Sequence, residues 1–287
     1  MNLFTYKLTL APALVALATL AGRRWGPLAA GLVVGLPIVA GPILFFNAAD
    51  QGAVFATEEA LFTLLGIISL CAFSLAYAWR AWSGGTAVSS LALGWAAFAA
   101  STILIQGIWE RHSLTLLRAL CYALAALFLS LRSLPPAGPP AMALPGEGAP
   151  PQPKARKPGA GDLPLRMLSA ALLVWLLTTF AERLGPRLGG LLTPFPVAST
   201  VVAVFAHRDG ASEAVRAVLK GLLLALNAFA AFCGVLAATL GRMGLLPAFG
   251  AALAAAVLVQ VAIIALQRSR RAPPPAAAAH AGRLPNP

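Results

Sequence analysis

Residues 185–213 read GPRLGGLLTPFPVASTVVAVFAHRDGASE. The run is apolar enough to enter a membrane, yet Pro194 and Pro196 interrupt it. It ends in a polar turn, His207-Arg208-Asp209-Gly210. Proline lacks an amide hydrogen and clashes with the preceding helical turn, so a helix cannot pass through this run unbroken. Residues 26–50, GPLAAGLVVGLPIVAGPILFFNAAD, repeat the pattern, with Pro37 and Pro42 inside and Asp50 at the end.

The likeness extends outward. Shifted by 159 residues, 3–50 align on 162–209 without a gap and share 13 identities in 48 positions. Leu and Ala matches carry little weight in an apolar chain. Gly26/Gly185, Pro27/Pro186, Gly31/Gly190, Pro37/Pro196 and Asp50/Asp209 carry more. After a short offset, Glu58/Glu213 and Gly66/Gly221 also correspond. The chain therefore reads as a duplication.

Composition sets the solvent. Hydrophobic residues make up 59% of the 287 and charged residues 10%. A soluble domain carries about 25% charged residues, so most of this surface must face lipid or other helices. The net charge of +12 sits between apolar runs, where it reports topology rather than a nucleic-acid surface. Cys71, Cys121 and Cys233 lie inside apolar runs without ligand-like spacing. No metal or other cofactor is implied.

Apolar runs predict an all-α polytopic bundle of about nine spans, near 4–22, 26–46, 59–79, 86–107, 113–131, 163–181, 186–206, 214–240 and 244–267. The set Tyr77, Trp79, Arg80 and Trp82 suits a membrane interface, where amphipathic rings and a snorkelling Arg are favourable. Residues 133–161, SLPPAGPPAMALPGEGAPPQPKARKPGAG, are too rich in Pro and Gly for helix or sheet. They divide an N-terminal repeat, 1–132, from a C-terminal repeat, 162–267. The Pro/Ala-rich tail 268–287 reads as disordered.

Five spans separate the two copies, so the second is inverted. Alternating the spans puts six Lys/Arg on the amino-terminal side and fifteen on the other. Excess Lys/Arg marks the cytoplasmic side, which puts the amino terminus outside and the carboxyl terminus in the cytoplasm. Inverted repeats with interrupted helices at equivalent positions are the sequence pattern of secondary transporters.

The segment GGLLTPFPVASTVVAVFAHRDG, followed by Val218-Leu219-Lys220-Gly221-Leu222-Leu223, resembles the small bacterial inner-membrane GlpM-type proteins. The resemblance covers roughly 165–240, with a weaker echo in 8–75. It implies a bacterial inner (cytoplasmic) membrane location and a link to polysaccharide production, but no reaction. Length, duplication and linker depart from that family.

The candidate path residues are Pro37, Pro42, Asp50, Glu58, Pro194, Pro196, Ser199, Thr200, His207, Asp209 and Glu213. His207 beside Asp209 could exchange protons or form a solvated turn, and the first copy has Ala48 in its place. Glu58 and Glu213 follow Thr57 and Ser212, which marks helix starts; the alternative is a coupling carboxylate at each face. Ser199 and Thr200 could meet a solute or bond back to freed helix carbonyls. Asn47, Gln51, Gln106, Asn227 and Gln260 read as amides bonding between helices. With no HExxH, GxSxG or phosphate loop, no enzyme is expected.

The leading expectation is secondary transport of a small solute, with or without a proton. The alternative is a non-transporting assembly or regulatory protein serving envelope polysaccharide production. The lipid bilayer is the expected partner, and nine spans also allow a homodimer. Transport through the Pro breaks requires a polar cavity there; Ser199 and Thr200 packed dry would argue against it.

Overall fold

A computed structural model describes residues 3–38, 40–109, 113–138, 163–169, 171–172, 186–209 and 212–269. Among them every regular element is an α-helix. In chain order these are α1 (Leu3–Trp25), α2 (Pro27–Val34), α3 (Ala40–Gln51), α4 (Ala53–Trp82), α5 (Ala87–Trp109), α6 (Leu116–Arg132), α7 (Pro186–Leu192), α8 (Val197–Asp209), α9 (Ser212–Met243) and α10 (Leu245–Ser269). Residues 163–169 are also helical.

The two longest helices form the centre. α4 has 30 residues and α9 has 32, with no proline in either. At 1.5 Å per residue each exceeds the ~30 Å apolar core of a bilayer. They pack on each other through a core that includes Leu64, Ile67, Leu219, Leu222 and Leu226, all essentially inaccessible. α5 and α6 lie against α4, and α10 lies against α9. The outer faces of these flanking helices carry exposed Leu93, Ile103, Leu117, Phe128, Leu253 and Leu258. Such surfaces suit lipid rather than water.

Among the described residues, five segments are long and apolar enough to cross a bilayer: Ala53–Trp82, Ala87–Trp109, Pro186–Arg208, Ser212–Met243 and Leu245–Ser269. This is the architecture of an integral membrane protein. The remaining expected spans differ for stated reasons. α1 covers the first but contains Pro12 and ends in Arg23 and Arg24. The second is cut into α2 and α3, of 8 and 12 residues. The fifth, α6, has only 17 residues. Most of the sixth, like most of the linker and tail, lies outside the described residues.

The breaks have a common chemistry. α2 ends at Val34, just ahead of Pro37, and α7 ends at Leu192, just ahead of Pro194 and Pro196. Ile38 N donates to Leu36 O at 2.8 Å, and Val197 N to Phe195 O at 2.8 Å. Gly41 N then returns to Pro37 O at 2.8 Å, as Thr200 N does to Pro196 O at 2.8 Å. Under the 159-residue shift these are the same positions. Pro42 is not an interruption: it is the third residue of α3, where an amide has no intrahelical acceptor and proline is tolerated.

Each half-helix before a break packs on a long helix of the other copy: α2 on α9, and α7 on α4. Glycine makes the approach possible. A Cβ on Gly31 would meet the Val218 carbonyl and stand 2.7 Å from Leu222 N. A Cβ on Gly190 would meet the Glu59 carbonyl and stand 2.7 Å from Phe62 Cβ.

The first residues of the linker are neither helix nor strand, as their prolines dictate. They are nonetheless tied down. Trp79 Nε1 donates to Ser133 O at 2.8 Å, Trp82 Nε1 to Gly138 O at 3.1 Å, and Arg216 Nε to Pro135 O at 2.6 Å. Tyr77, grouped with these tryptophans as an interface residue, is instead fully buried.

Candidate functional site

The chemistry concentrates on one face of α4. Successive residues on a helix advance by 100°, so Glu59, Thr63, Gly66, Leu70 and Tyr77 share a stripe. Glu59 is the anomaly: a carboxylate 2% exposed inside a helix apolar enough to span a bilayer. Ionisable groups in such segments are costly, and they mark ion or solute paths more often than packing.

Glu59 is held by Asn47, whose Nδ2 donates to Oε1 at 2.8 Å and to Oε2 at 2.9 Å. Asn47 is on α3, so the contact closes the α3–α4 turn, where Gly52 takes φ 88°. That left-handed value favours glycine, which has no Cβ to clash. On the other side stands the second broken helix. A Cβ on Gly189 would lie 3.7 Å from Glu59 Oε1, and Thr63 Oγ1 donates to Glu59 O at 2.8 Å. The carboxylate thus sits where α3, α4 and α7 meet. The equivalent positions in the second copy hold Ala206 and Ala214, so this polar pair belongs to one copy.

Beside it, Glu58 points another way. Arg187 Nε donates to Glu58 Oε1 at 2.7 Å, with the two side chains 40% and 37% exposed. Arg187 Nη1 also reaches Trp109 O at 3.4 Å. This ion pair ties the start of α7 to α4 and α5. Glu213, the counterpart of Glu58, is exposed in the first turn of α9, where the helix dipole favours an acid. Asp50 is exposed near the end of α3.

At the other end of α4, Tyr77 Oη lies 3.5 Å from His207 Nδ1 on α8. Eighteen residues separate Glu59 from Tyr77, about 27 Å along the axis. Polar groups thus stand near both ends of the same helix face. The Asp209 side chain lies outside the described residues.

The Pro breaks are closely packed. Pro37, Pro194 and Pro196 are buried, and Ser199 and Thr200 are 2% and 3% exposed. Pro194 lies over Gly66, whose added Cβ would be 2.7 Å from Pro194 Cγ. Phe195 packs between Trp95, tilted at 6.0 Å, and Phe98, edge-to-face at 5.1 Å between ring centroids. Thr200 accepts a bond from Trp95 Nε1 at 3.1 Å. The dry packing at Ser199 and Thr200 removes the argument for a solute cavity at the breaks. A cavity of about 280 Å³ opens elsewhere, lined by Leu65, Ile68, Ile105, Ile108, Trp109 and Tyr122.

Sequence reasoning missed Glu59 and assigned Asn47 only a general interhelical role. The signal was present. Glu59 is in register with Ala56, Thr63 and Gly66 on the apolar stripe, whereas Glu58 is turned 100° away. No family model matches the chain, and neither a curated protein nor a solved structure does.

Proposed function

We propose that this integral membrane protein is a secondary carrier of a small solute, with Glu59 as the group that binds the solute or a coupling proton. The observation that carries the reading is the Glu59 carboxylate, buried within an apolar spanning helix and grasped by Asn47 beside the second broken helix. The repeated break at Pro37 and Pro196 supports two inverted halves, the arrangement of many carriers. Each half lends its half-helix to the other half's long helix, so a shift at α7 is felt at Glu59. Lys/Arg placement supports an outside amino terminus and a cytoplasmic carboxyl terminus in an inner membrane. The path residues are therefore centred on Glu59 and Asn47, with His207 near the far end of α4, while Glu58 and Arg187 form an ion pair outside the path.

A thermal-shift screen of small cationic, neutral and anionic metabolites on the purified chain tests this. A ligand at a hundredfold its Kd contributes about 2.7 kcal/mol to the folded state, which is a rise in Tm of several degrees for a chain of this size. At least one ligand should stabilise the wild type and fail to stabilise Glu59→Gln. A screen with no hit that depends on Glu59 counts against the carrier reading.

The dry packing of Ser199, Thr200 and the prolines favours a second reading, a non-transporting assembly protein of the cell envelope. The GlpM-type resemblance supports it. A stoichiometric protein partner after mild extraction, with no solute flux in liposomes, would favour it over transport.

A further inference from the structure

We infer that the groove between α4, α5 and α6 holds one acyl chain of an anionic phospholipid whose headgroup is engaged by Arg118. The groove lining supplies Leu65, Ile68, Ile105 and Ile108, with Trp109 and Tyr122 completing it. At about 280 Å³ it lies at the small end of ligand pockets, which run about 300–1,000 Å³. Its aliphatic walls give a polar solute nothing to bond, whereas part of a hydrocarbon chain needs only contact.

The headgroup assignment comes from the mouth. Trp109 and Tyr122 pair with centroids 6.0 Å apart, and Tyr122 is 49% exposed. Amphipathic rings of this kind favour the headgroup level of a bilayer. Arg118 precedes Tyr122 by one helical turn on the same face of α6, and helical side chains lean toward the amino-terminal end. Its guanidinium therefore extends beyond the rings, away from the apolar groove. Arg118 is exposed and has no ion-pair partner among the described residues, unlike Arg187, which is bound to Glu58. An apolar slot, an aromatic rim and an exposed cation are together complementary to an anionic phospholipid.

Native mass spectrometry of the full chain, delipidated in mild detergent and titrated with phosphatidylglycerol or phosphatidylcholine of identical acyl chains, tests the site. Wild-type protein should retain phosphatidylglycerol about fivefold better, the discrimination expected of one basic residue near an anionic headgroup. Arg118→Gln should reduce phosphatidylglycerol to the phosphatidylcholine level. Ile108→Trp, at a half-exposed groove position, should reduce both lipids while the melting temperature stays at the wild-type value. Glycerol phosphate alone should not bind. Equal retention of the two lipids by the wild type, or unchanged retention in either variant, overturns the inference. So does glycerol phosphate binding as tight as the lipid, or a second copy of the chain taking the place of lipid.

Discussion

Gly31 of α2 lies directly on Gly221 of α9: a Cβ on Gly221 would stand 3.0 Å from the Cα of Gly31 and 2.9 Å from Leu32 N. The matching positions in the other half are Gly190, whose Cβ would meet the Glu59 carbonyl, and Gly66, whose Cβ would stand 2.6 Å from Leu191 O. Both contacts join a half-helix of one copy to a long helix of the other. Backbone rather than a flexible side chain blocks the space, so neither site can yield cheaply. Gly31→Ala, Gly221→Ala and Gly190→Ala should each destabilise by about 1–3 kcal/mol, the usual cost of overpacking. Gly250→Ala, with nothing within 4 Å of its Cβ position, should be neutral or slightly stabilising. Thermal melts in one detergent compare all four.

The interlock predicts the outcome of cutting the linker. Since α2 rests on α9 and α7 on α4, the halves 1–132 and 162–267 complete each other. A chain cleaved by a site-specific protease between residues 140 and 160 should co-purify as two fragments in mild detergent. Fragments that separate on a sizing column would show that the contacts do not hold the halves together.

The Asn47–Glu59 contact predicts an asymmetric mutant set. Hydrogen bonds to charged groups contribute about 1.5–3 kcal/mol, and taking one partner from a buried charge is the costly change. Asn47→Leu should therefore lower stability by about that amount. The double variant Asn47→Leu, Glu59→Leu should recover part of it, because the buried charge that Asn47 satisfied is removed with it. Melting temperatures of the singles and the double give the coupling. A double variant less stable than Asn47→Leu would contradict this account.

Glu58 and Arg187 should behave differently, because their ion pair is more than a third exposed. Exposed pairs contribute about 0–1 kcal/mol. Glu58→Gln should cost little in stability. If Glu58 rather than Glu59 were the path residue, Glu58→Gln would abolish the ligand response that Glu59→Gln is expected to abolish.

The sequence revealed the membrane class because so few charges cannot cover a soluble surface. It revealed the breaks at Pro37 and Pro196 because a missing amide is a local property. Pro42 was misjudged because its effect depends on where α3 restarts, and that is set by the bond from Gly41 N to Pro37 O. Glu59 was passed over for its neighbour for a similar reason. A start at residue 59 puts Glu58 and Glu59 at a helix end, whereas α4 begins at Ala53 and carries Glu59 almost two turns inward. The dry packing of Ser199 and Thr200 depends on Trp95, Phe98 and Gly66 arriving from distant parts of the chain, which no local pattern encodes.

The most direct test of the carrier reading is flux in liposomes of whichever solute stabilises the folded chain, measured for wild type, Glu59→Gln and Glu58→Gln at matched, folded protein density. Wild type and Glu58→Gln should take up the solute, with a loss of about tenfold or more in Glu59→Gln, which retains the side-chain shape but not the titratable charge. Uptake by Glu59→Gln at the wild-type rate would contradict the carrier reading.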